Sequence, residues 1–315
     1  MIPPRRSFAA SLLLGGLPLL LGRAASAQTR PTPVSARQPA PPLPRPPLTL
    51  ADIRAQLEIA RAALPPGHRN RVAVERTLGR LDEMGLDLAS GRTILVNIAA
   101  AEVMAYEDGI EVLRSRAVVG AARTRTPQMT TFVTTARFNP PWYVPASLTA
   151  EIRAAGAVGY QQIGGRFIQP PGPNNALGPM RIGLENSDGI FLHGTNRPSL
   201  FNQGMRSLSH GCVRVERVRD FTAWLLDMPV ATVDTMLASG RTQDVHPLRE
   251  VQVALAYLTI WPDRTGQFVV HPDRYGMDAP GVRQVGFRRV LRPLPMTTEQ
   301  MEAAARQPPP EDDPL

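Results

Sequence analysis

The order of apolar and polar positions divides the chain into a short helical stretch, a long strand-rich middle and two ends that carry no hydrophobic period. From Leu50 to Leu64 the apolar residues Ile53, Leu57, Ala60 and Leu64 recur at helical spacing, and Val72 to Met84 repeats the pattern with Val74, Leu78 and Leu81. Two short helices with one buried face each are predicted there. The period then changes. Thr93–Ile98 and Val103–Tyr106 read as strands, Asp108-Gly109 as a turn and Ile110–Val119 as a further strand. Met129–Phe138 alternates again, and Met180–Leu184 joins Ile190–Leu192 through Ser187-Asp188-Gly189. A later hairpin is predicted from Val251–Trp261 and Gln267–Val270, turned by Asp263-Arg264-Thr265-Gly266. Helices are confined to Ser147–Ala155, Val218–Leu226 and Val230–Leu237. The expected fold is mainly β and mainly antiparallel: a small sandwich or partly open barrel, with a few peripheral helices and a short N-terminal helical segment.

Residues 140–178 fit neither period. They hold Pro140-Pro141-Trp142-Tyr143, a short helix, and Pro170-Pro171-Gly172-Pro173-Asn174-Asn175. An insertion of this length in a compact domain reads as a lid or binding loop. The expected organisation is an export signal at 1–27, a Pro-rich disordered linker at 28–48, the helical segment at 49–90, the main domain at 91–277 with its lid-like insertion, and a C-terminal extension at 278–315 whose end is disordered.

The signal rests on Arg5-Arg6, an apolar stretch from Phe8 to Leu21 and the small-residue pattern Ala25-Ser26-Ala27. Arg5-Arg6-Ser7-Phe8 also matches the core of a twin-arginine signal, so either export route fits. The apolar run is short and interrupted by Gly15, Gly16 and Pro18, which argues against a membrane anchor. No other stretch is long and apolar enough to give the mature chain a stable span.

The formal charge is +8, and all 35 basic residues are arginine. A basic surface suits an acidic polymer or membrane surface, but no arginine-rich block or nucleic-acid motif supports a nucleic-acid partner. Without lysine, no lysine nucleophile or lysine Schiff base is available.

The chain has one cysteine, Cys212. In an exported protein it can form no internal disulfide, yet a free thiol there risks oxidation. A thiol becomes a nucleophile when a base can take its proton, and two histidines are near in sequence. His193 ends the predicted strand Ile190–Leu192. If the Cys212 segment pairs beside that strand, the ladder delivers His193 to the thiol. His210, two positions before Cys212, is less able to turn onto the sulfur. Gly211 gives the loop freedom to aim the amides of Gly211 and Cys212 at one carbonyl oxygen as an oxyanion hole. Arg214 can lower the thiol pKa or hold a carboxylate, or it can simply pair with Glu216 or Asp220 at the surface. A metal site from His193, His210 and Cys212 matches no usual zinc spacing, and neither Cys-x-x-Cys nor His-Glu-x-x-His occurs. No metal or other cofactor is expected.

With these residues in view, the sequence resembles the L,D-transpeptidase (YkuD-type) catalytic domain, whose signature is a His-Gly-Thr-like strand end followed by Ser-His-Gly-Cys-hydrophobic-Arg. Here these are His193-Gly194-Thr195 and Ser209-His210-Gly211-Cys212-Val213-Arg214. Pro171-Gly172-Pro173-Asn174-Asn175-Ala176-Leu177-Gly178, Ile94-Leu95-Val96-Asn97-Ile98, Val118-Val119-Gly120 and His271-Pro272-Asp273-Arg274-Tyr275-Gly276 are similar to the large periplasmic murein enzymes of Gram-negative bacteria. The resemblance implies Cys212 as nucleophile, His193 as proton acceptor and donor, and the Gly211 and Cys212 amides as oxyanion hole, with His210 shaping the site. It implies substrate contacts at Arg214, Ser209, Gly194, Thr195 and Asn175, while Trp142 and Tyr143 are either walls for the substrate or ordinary core aromatics. The implied reaction forms 3→3 cross-links between peptidoglycan stem peptides in the periplasm with release of D-alanine, and implies covalent inhibition by carbapenem-type β-lactams. Hydrolysis of the same acyl-enzyme, its transfer to a lipoprotein, and a non-enzymatic wall-binding module are the alternatives. The N-terminal part is much shorter than the scaffold of the large relatives, which leaves independent glycan binding open.

Overall fold

The computed structural model describes residues 48–86, 89–282 and 285–290. The signal at 1–27, nearly all of the linker and the chain from 291 onward lie outside the described residues.

Two helices, α1 (Leu50–Ala63) and α2 (Arg69–Met84), come first. Thr49 and Asp52 form a reciprocal capping box: the Asp52 N–H donates to Thr49 Oγ1 at 3.0 Å, and the Thr49 N–H donates to the Asp52 carboxylate at 3.0 Å. Gly85, at φ +64°, takes the left-handed turn that ends α2.

The main domain follows as β1 (Arg92–Asn97), β2 (Glu102–Glu107), β3 (Ile110–Gly120), β4 (Met129–Phe138), β5 (Trp142–Tyr143), α3 (Ala146–Ala154), β6 (Gln161–Ile163), β7 (Arg166–Gln169), β8 (Met180–Leu184), β9 (Leu192–His193), β10 (Ser207–Ser209), β11 (Val213–Val215), α4 (Val218–Leu225), α5 (Val230–Ala238), β12 (Gln243–Val245), β13 (Val251–Ala256), β14 (Ile260–Pro262), β15 (Phe268–Val270) and β16 (Arg288–Arg289). The strands β3-β11-β9-β8-β4-β13-β1-β2 are hydrogen-bonded in that order, and β2 pairs back onto β3, so the sheet closes on itself. Closure depends on the length of β3. Its first part, Ile110–Arg116, lies on β2, while Ala117 and Val118 lie on β11. The fold is therefore mainly β, as expected, and the ring is shut rather than partly open. Most pairings are antiparallel, but β1 with β13 and β9 with β11 in the ring, and β10 with β3 and β16 with β4 beside it, are parallel.

β1 is buried along its whole length, because both faces are covered. Ile94 and Val96 face the barrel interior with Val119, Leu192, Val213 and Val253, where Phe221 of α4 also packs. Leu95 faces the other way with Met104, Ala254 and Trp261, against Ile53 and Leu57 of α1 and Val74, Leu78 and Met84 of α2. The unalternated run Thr93–Ile98 is the pattern of a strand buried on both sides.

Two expectations are corrected. Val251–Trp261 is not one strand. After Ala256 the backbone leaves the ladder for side-chain acceptors: the Tyr257 N–H donates to Gln128 Oε1 at 3.1 Å and the Leu258 N–H to Asn97 Oδ1 at 3.3 Å. The chain bends there, and β14 pairs with β15 alone. Residues 140–178 do form strands: β5, β7 and β6 make a separate three-stranded sheet beside α3. Its ladder joins residues as close as Ile163 and Arg166 across a glycine turn, too short for the alternation to show.

Candidate active site

Cys212 and His193 are brought together by the pairing of β9 with β11. In that parallel ladder Val213 faces Leu192, and Arg214 faces His193. On the far side of β9, Arg181 of β8 also faces His193. Residues opposite one another in a ladder share a sheet face, so Arg181, His193 and Arg214 form one row, and Cys212, two before Arg214, falls on the same face. Leu192, Val213 and Ile182 point the other way into the barrel core. The Cys212 thiol reaches the segment just before His193, where it donates to the Gly189 carbonyl at 3.3 Å.

Both side chains are held neutral. His193 is 4% exposed, and burial first, then the Arg214 and Arg181 charges, depress its pKa to about 3. The same burial raises the Cys212 thiol, opposed by a backbone hydrogen bond from Phe191 and by the charges of Arg214 and Arg181. The resting pair is thus thiol and neutral imidazole. His193 Nδ1 is buried without a partner in ordinary hydrogen-bond geometry among the described residues, while the backbone at Gly194 and Leu177 opposes the depression of its pKa. Arg214 is itself depressed by burial and by Arg197, and its Nε has no partner. The surface pairing considered for it does not occur. Glu216 binds Arg116 and Asp220 binds Arg217. Among the described residues Arg214 has no carboxylate partner, so its charge can meet an anionic ligand.

The loop that carries Cys212 is tied down from several sides. Ser209 Oγ donates to the Cys212 carbonyl at 2.5 Å and accepts from the Gly211 N–H at 3.2 Å. Thr124 Oγ1 donates to the Ser209 carbonyl at 2.8 Å, and Thr126 Oγ1 to the Gly211 carbonyl at 2.7 Å. Gly211 sits at φ +123°, a conformation that glycine alone adopts without strain. The His193 side is fixed by two interlocked glycines. A Cβ on Gly178 would lie 2.3 Å from the Thr195 nitrogen, and one on Gly194 would lie 2.8 Å from Pro179 Cδ.

Four of the expected site residues are engaged within the protein. The Gly211 N–H is bonded to Ser209 Oγ, so it is not free to hold an oxyanion. Ser209, 3% exposed, braces the loop. Asn175 is 1% exposed, and its Nδ2 donates to the carbonyls of Pro140, Gln169 and Pro170 at 3.0, 3.1 and 3.0 Å. It ties the two ends of the insertion together. Gly194, buried, donates its N–H to the Met180 carbonyl at 2.9 Å and contributes close packing. Thr195 is half-buried and accepts the Arg197 N–H on Oγ1. Trp142 packs its ring 6.1 Å from that of Tyr160 inside the insertion, while Tyr143 is 44% exposed. His210 is exposed and stands 3.7 Å from Glu151 of α3, which brings the insertion's helix against the nucleophile loop. Thr124, Thr126 and Arg181 escaped the sequence reading, because only the folded ladder shows what they face. Among the described residues no three His, Cys, Asp or Glu side chains gather as a metal site.

Residues 91–235, which include both His193 and Cys212, match the sequence profile of the YkuD L,D-transpeptidase catalytic domain. A Haemophilus influenzae protein with the provisional name of L,D-transpeptidase is 30% identical over 229 residues, 62% of this chain and 46% of its own. YcfS of Escherichia coli, provisionally named likewise, is 33% identical over 126 residues, 39% of this chain and 37% of its own. The chain spans less than half the length of these curated relatives. Among solved structures, an L,D-transpeptidase from Mycobacterium smegmatis aligns over 52% of this chain and 58% of its own, at 18% identity and a TM-score of 0.32. L,D-transpeptidase 3 from Mycobacterium tuberculosis, in complex with a faropenem-derived adduct, aligns over 51% and 59%, at 14% identity and a TM-score of 0.29.

Proposed function

Residues 91–235 belong to the L,D-transpeptidase catalytic-domain family, and from that premise we propose that the protein forms 3→3 cross-links in peptidoglycan through a thioester on Cys212. The observation that carries this reading is the β9–β11 ladder, which sets Arg214 opposite His193 and Cys212 beside them on one face.

The Cys212 sulfur attacks the carbonyl of the third residue of a tetrapeptide stem while His193 takes the thiol proton. A neutral imidazole is the form required, and the depressed His193 pKa keeps it neutral. The tetrahedral oxyanion is held by backbone N–H, with Cys212's own amide as the loop donor. Collapse breaks the peptide bond, and His193 returns the proton to the departing D-alanine amine. The thioester is then attacked by the side-chain amine of a neighbouring stem. His193 takes that proton and gives it back to the leaving thiolate, which restores the resting pair. Arg214, with no carboxylate partner among the described residues, binds a carboxylate of the stem. The insertion, touching His210 through Glu151, covers the site and favours an amine over water. The reading includes export to the periplasm, supported by the signal pattern in residues 1–27.

The test is incubation with purified disaccharide-tetrapeptide, followed by mass spectrometry. Cross-linked dimers and free D-alanine are expected, and both disappear in Cys212→Ala. Tripeptide without dimer would make water the acceptor and the protein an L,D-carboxypeptidase. Unchanged tetrapeptide, with no adduct on Cys212 after carbapenem treatment, would leave a wall-binding module.

A further inference from the structure

Gly211 and Cys212 share one planar, trans peptide unit, so the Gly211 carbonyl and the Cys212 N–H point in opposite directions across it. Whatever fixes the first aims the second. The Gly211 carbonyl accepts from Thr126 Oγ1 at 2.7 Å. Thr126, 2% exposed, is fixed in turn: its Oγ1 accepts the Gly120 N–H at 2.9 Å, and its own N–H donates to the Tyr275 hydroxyl oxygen at 3.2 Å. The Tyr275 hydroxyl donates to the Gly120 carbonyl at 2.6 Å. Thr126 thus uses its one hydroxyl proton and one lone pair in two directed bonds. Tyr275, 4% exposed, stacks on Tyr257 with ring centroids 4.9 Å apart. Gly120 admits no side chain, since a Cβ there would lie 2.2 Å from the Thr124 carbonyl oxygen.

We propose that Thr126, braced by Tyr275, is a positioning residue that turns the Gly211–Cys212 peptide so that the Cys212 N–H faces the carbonyl oxygen under attack. The proposal rests on the acyl-transfer reading and deepens it. With the Gly211 N–H bonded to Ser209 Oγ, the Cys212 amide is the donor that this loop has left to offer. Its direction is set by a side chain 85 positions away in sequence.

Two reactions of the same sulfur separate this role from a general structural one. Acylation by a carbapenem develops an oxyanion, whereas alkylation by iodoacetamide does not. Cys212 is the only cysteine, so intact mass reports both. Thr126→Val keeps the shape of the side chain and loses the hydroxyl; Thr126→Ser keeps the hydroxyl. Because deleting one oxyanion donor costs about 10²–10³ in rate, a misaimed donor in Thr126→Val should slow acylation about 10- to 100-fold. Alkylation should stay at the wild-type rate, and Thr126→Ser should acylate like wild type. Tyr275→Phe should show the same split with a smaller loss, and it carries the test if Thr126→Val does not fold. Equal loss of both reactions, or no loss of acylation, overturns the proposal. A wild-type protein that no carbapenem acylates would overturn the functional reading instead. The clamp is then decided by the Gly211 carbonyl carbon-13 shift, which must differ between wild type and Thr126→Val; an unchanged shift removes it.

Discussion

His193 faces a guanidinium on each side, from Arg181 and Arg214, and this row sets how the site responds to pH. Burial and these charges hold the imidazole pKa down to about 3. A general base works while it is unprotonated, so kcat/KM should hold steady from neutral pH well into the acid range instead of falling near the ordinary histidine value of about 6.5. Arg214→Gln removes a charge that opposes imidazolium, so the His193 pKa rises and the acid limb moves to higher pH. A pH profile unchanged by that substitution would remove Arg214 from the electrostatics of the base. The same charge favours thiolate, so the pH midpoint for Cys212 alkylation should also move up in Arg214→Gln. His210 is exposed and lies 3.7 Å from Glu151, so His210→Ala should reduce turnover far less than His193→Ala, which should nearly abolish it. At this scale the candidate pair was legible in the sequence, because a lone thiol in a Ser-His-Gly-Cys-Val-Arg run is a local pattern. Thr126 and Arg181 carry no such mark. Their roles come from ladder partners and loop contacts far away along the chain, and Ser209 and Asn175 turned out to be braces because burial cannot be read from a motif.

At the scale of elements, the site is built from short pieces held by backbone contacts: β9 has two residues and β11 three. Elements this short have few ladder bonds of their own, so their position depends on the loops that clamp them. Asn175 is the clearest case. Its amide serves three carbonyls while its Oδ1 accepts the Leu177 N–H at 2.9 Å. Asn175→Ala leaves these groups buried without partners, each at a cost of roughly 1–3 kcal/mol. The predicted outcome is loss of protease resistance across residues 140–178 and a rise in KM, with the main transition in denaturant moved less. A variant with wild-type proteolysis of the insertion would show that Asn175 is no tie. Gly178→Ala acts on the other clamp. At φ +67° with the Thr195 nitrogen 2.3 Å from a new Cβ, it must push the His193-Gly194-Thr195 segment away, and kcat should fall even where the protein still folds. The longer strands of the barrel, β1 to β4, β8 and β13, were legible in the sequence because their apolar runs are long, whereas β10, β11 and β12, of three residues each, were not. The insertion's sheet was not, since two- to four-residue strands give no measurable period.

For the whole molecule, the helical segment ahead of the barrel completes it. The periods of α1 and α2 were visible in the sequence, but not that their buried faces meet the outer side of β1, β2 and β13. Leu95, Met104, Tyr106, Ala254, Leu258 and Trp261 are all buried beneath or beside these helices. Arg80 of α2, 2% exposed, donates to the Tyr257 carbonyl at 2.7 Å and pairs with Asp278 at 2.7 Å, which joins the helices to the segment that carries Tyr275. The matched region, 91–235, also lacks β13, the strand between β1 and β4 in the ring. Neither that region nor a chain starting at residue 91 should therefore fold alone. Side chains such as Tyr106 and Trp261 would become exposed, and each large apolar side chain left in water costs about 1.5–3 kcal/mol, against a total stability of roughly 5–15 kcal/mol. Expressed from residue 91 to the C-terminus, the protein is predicted to aggregate or to show strand signal without a cooperative melt. Leu57→Ala in the full chain, at a fully buried position on α1, should cost about 2–5 kcal/mol by opening a cavity. Circular dichroism melts and size-exclusion chromatography read both outcomes. A monomeric, cooperatively melting fragment from residue 91 that still acylates Cys212 at the wild-type rate would show that the helices only cover the barrel and take no part in holding the site.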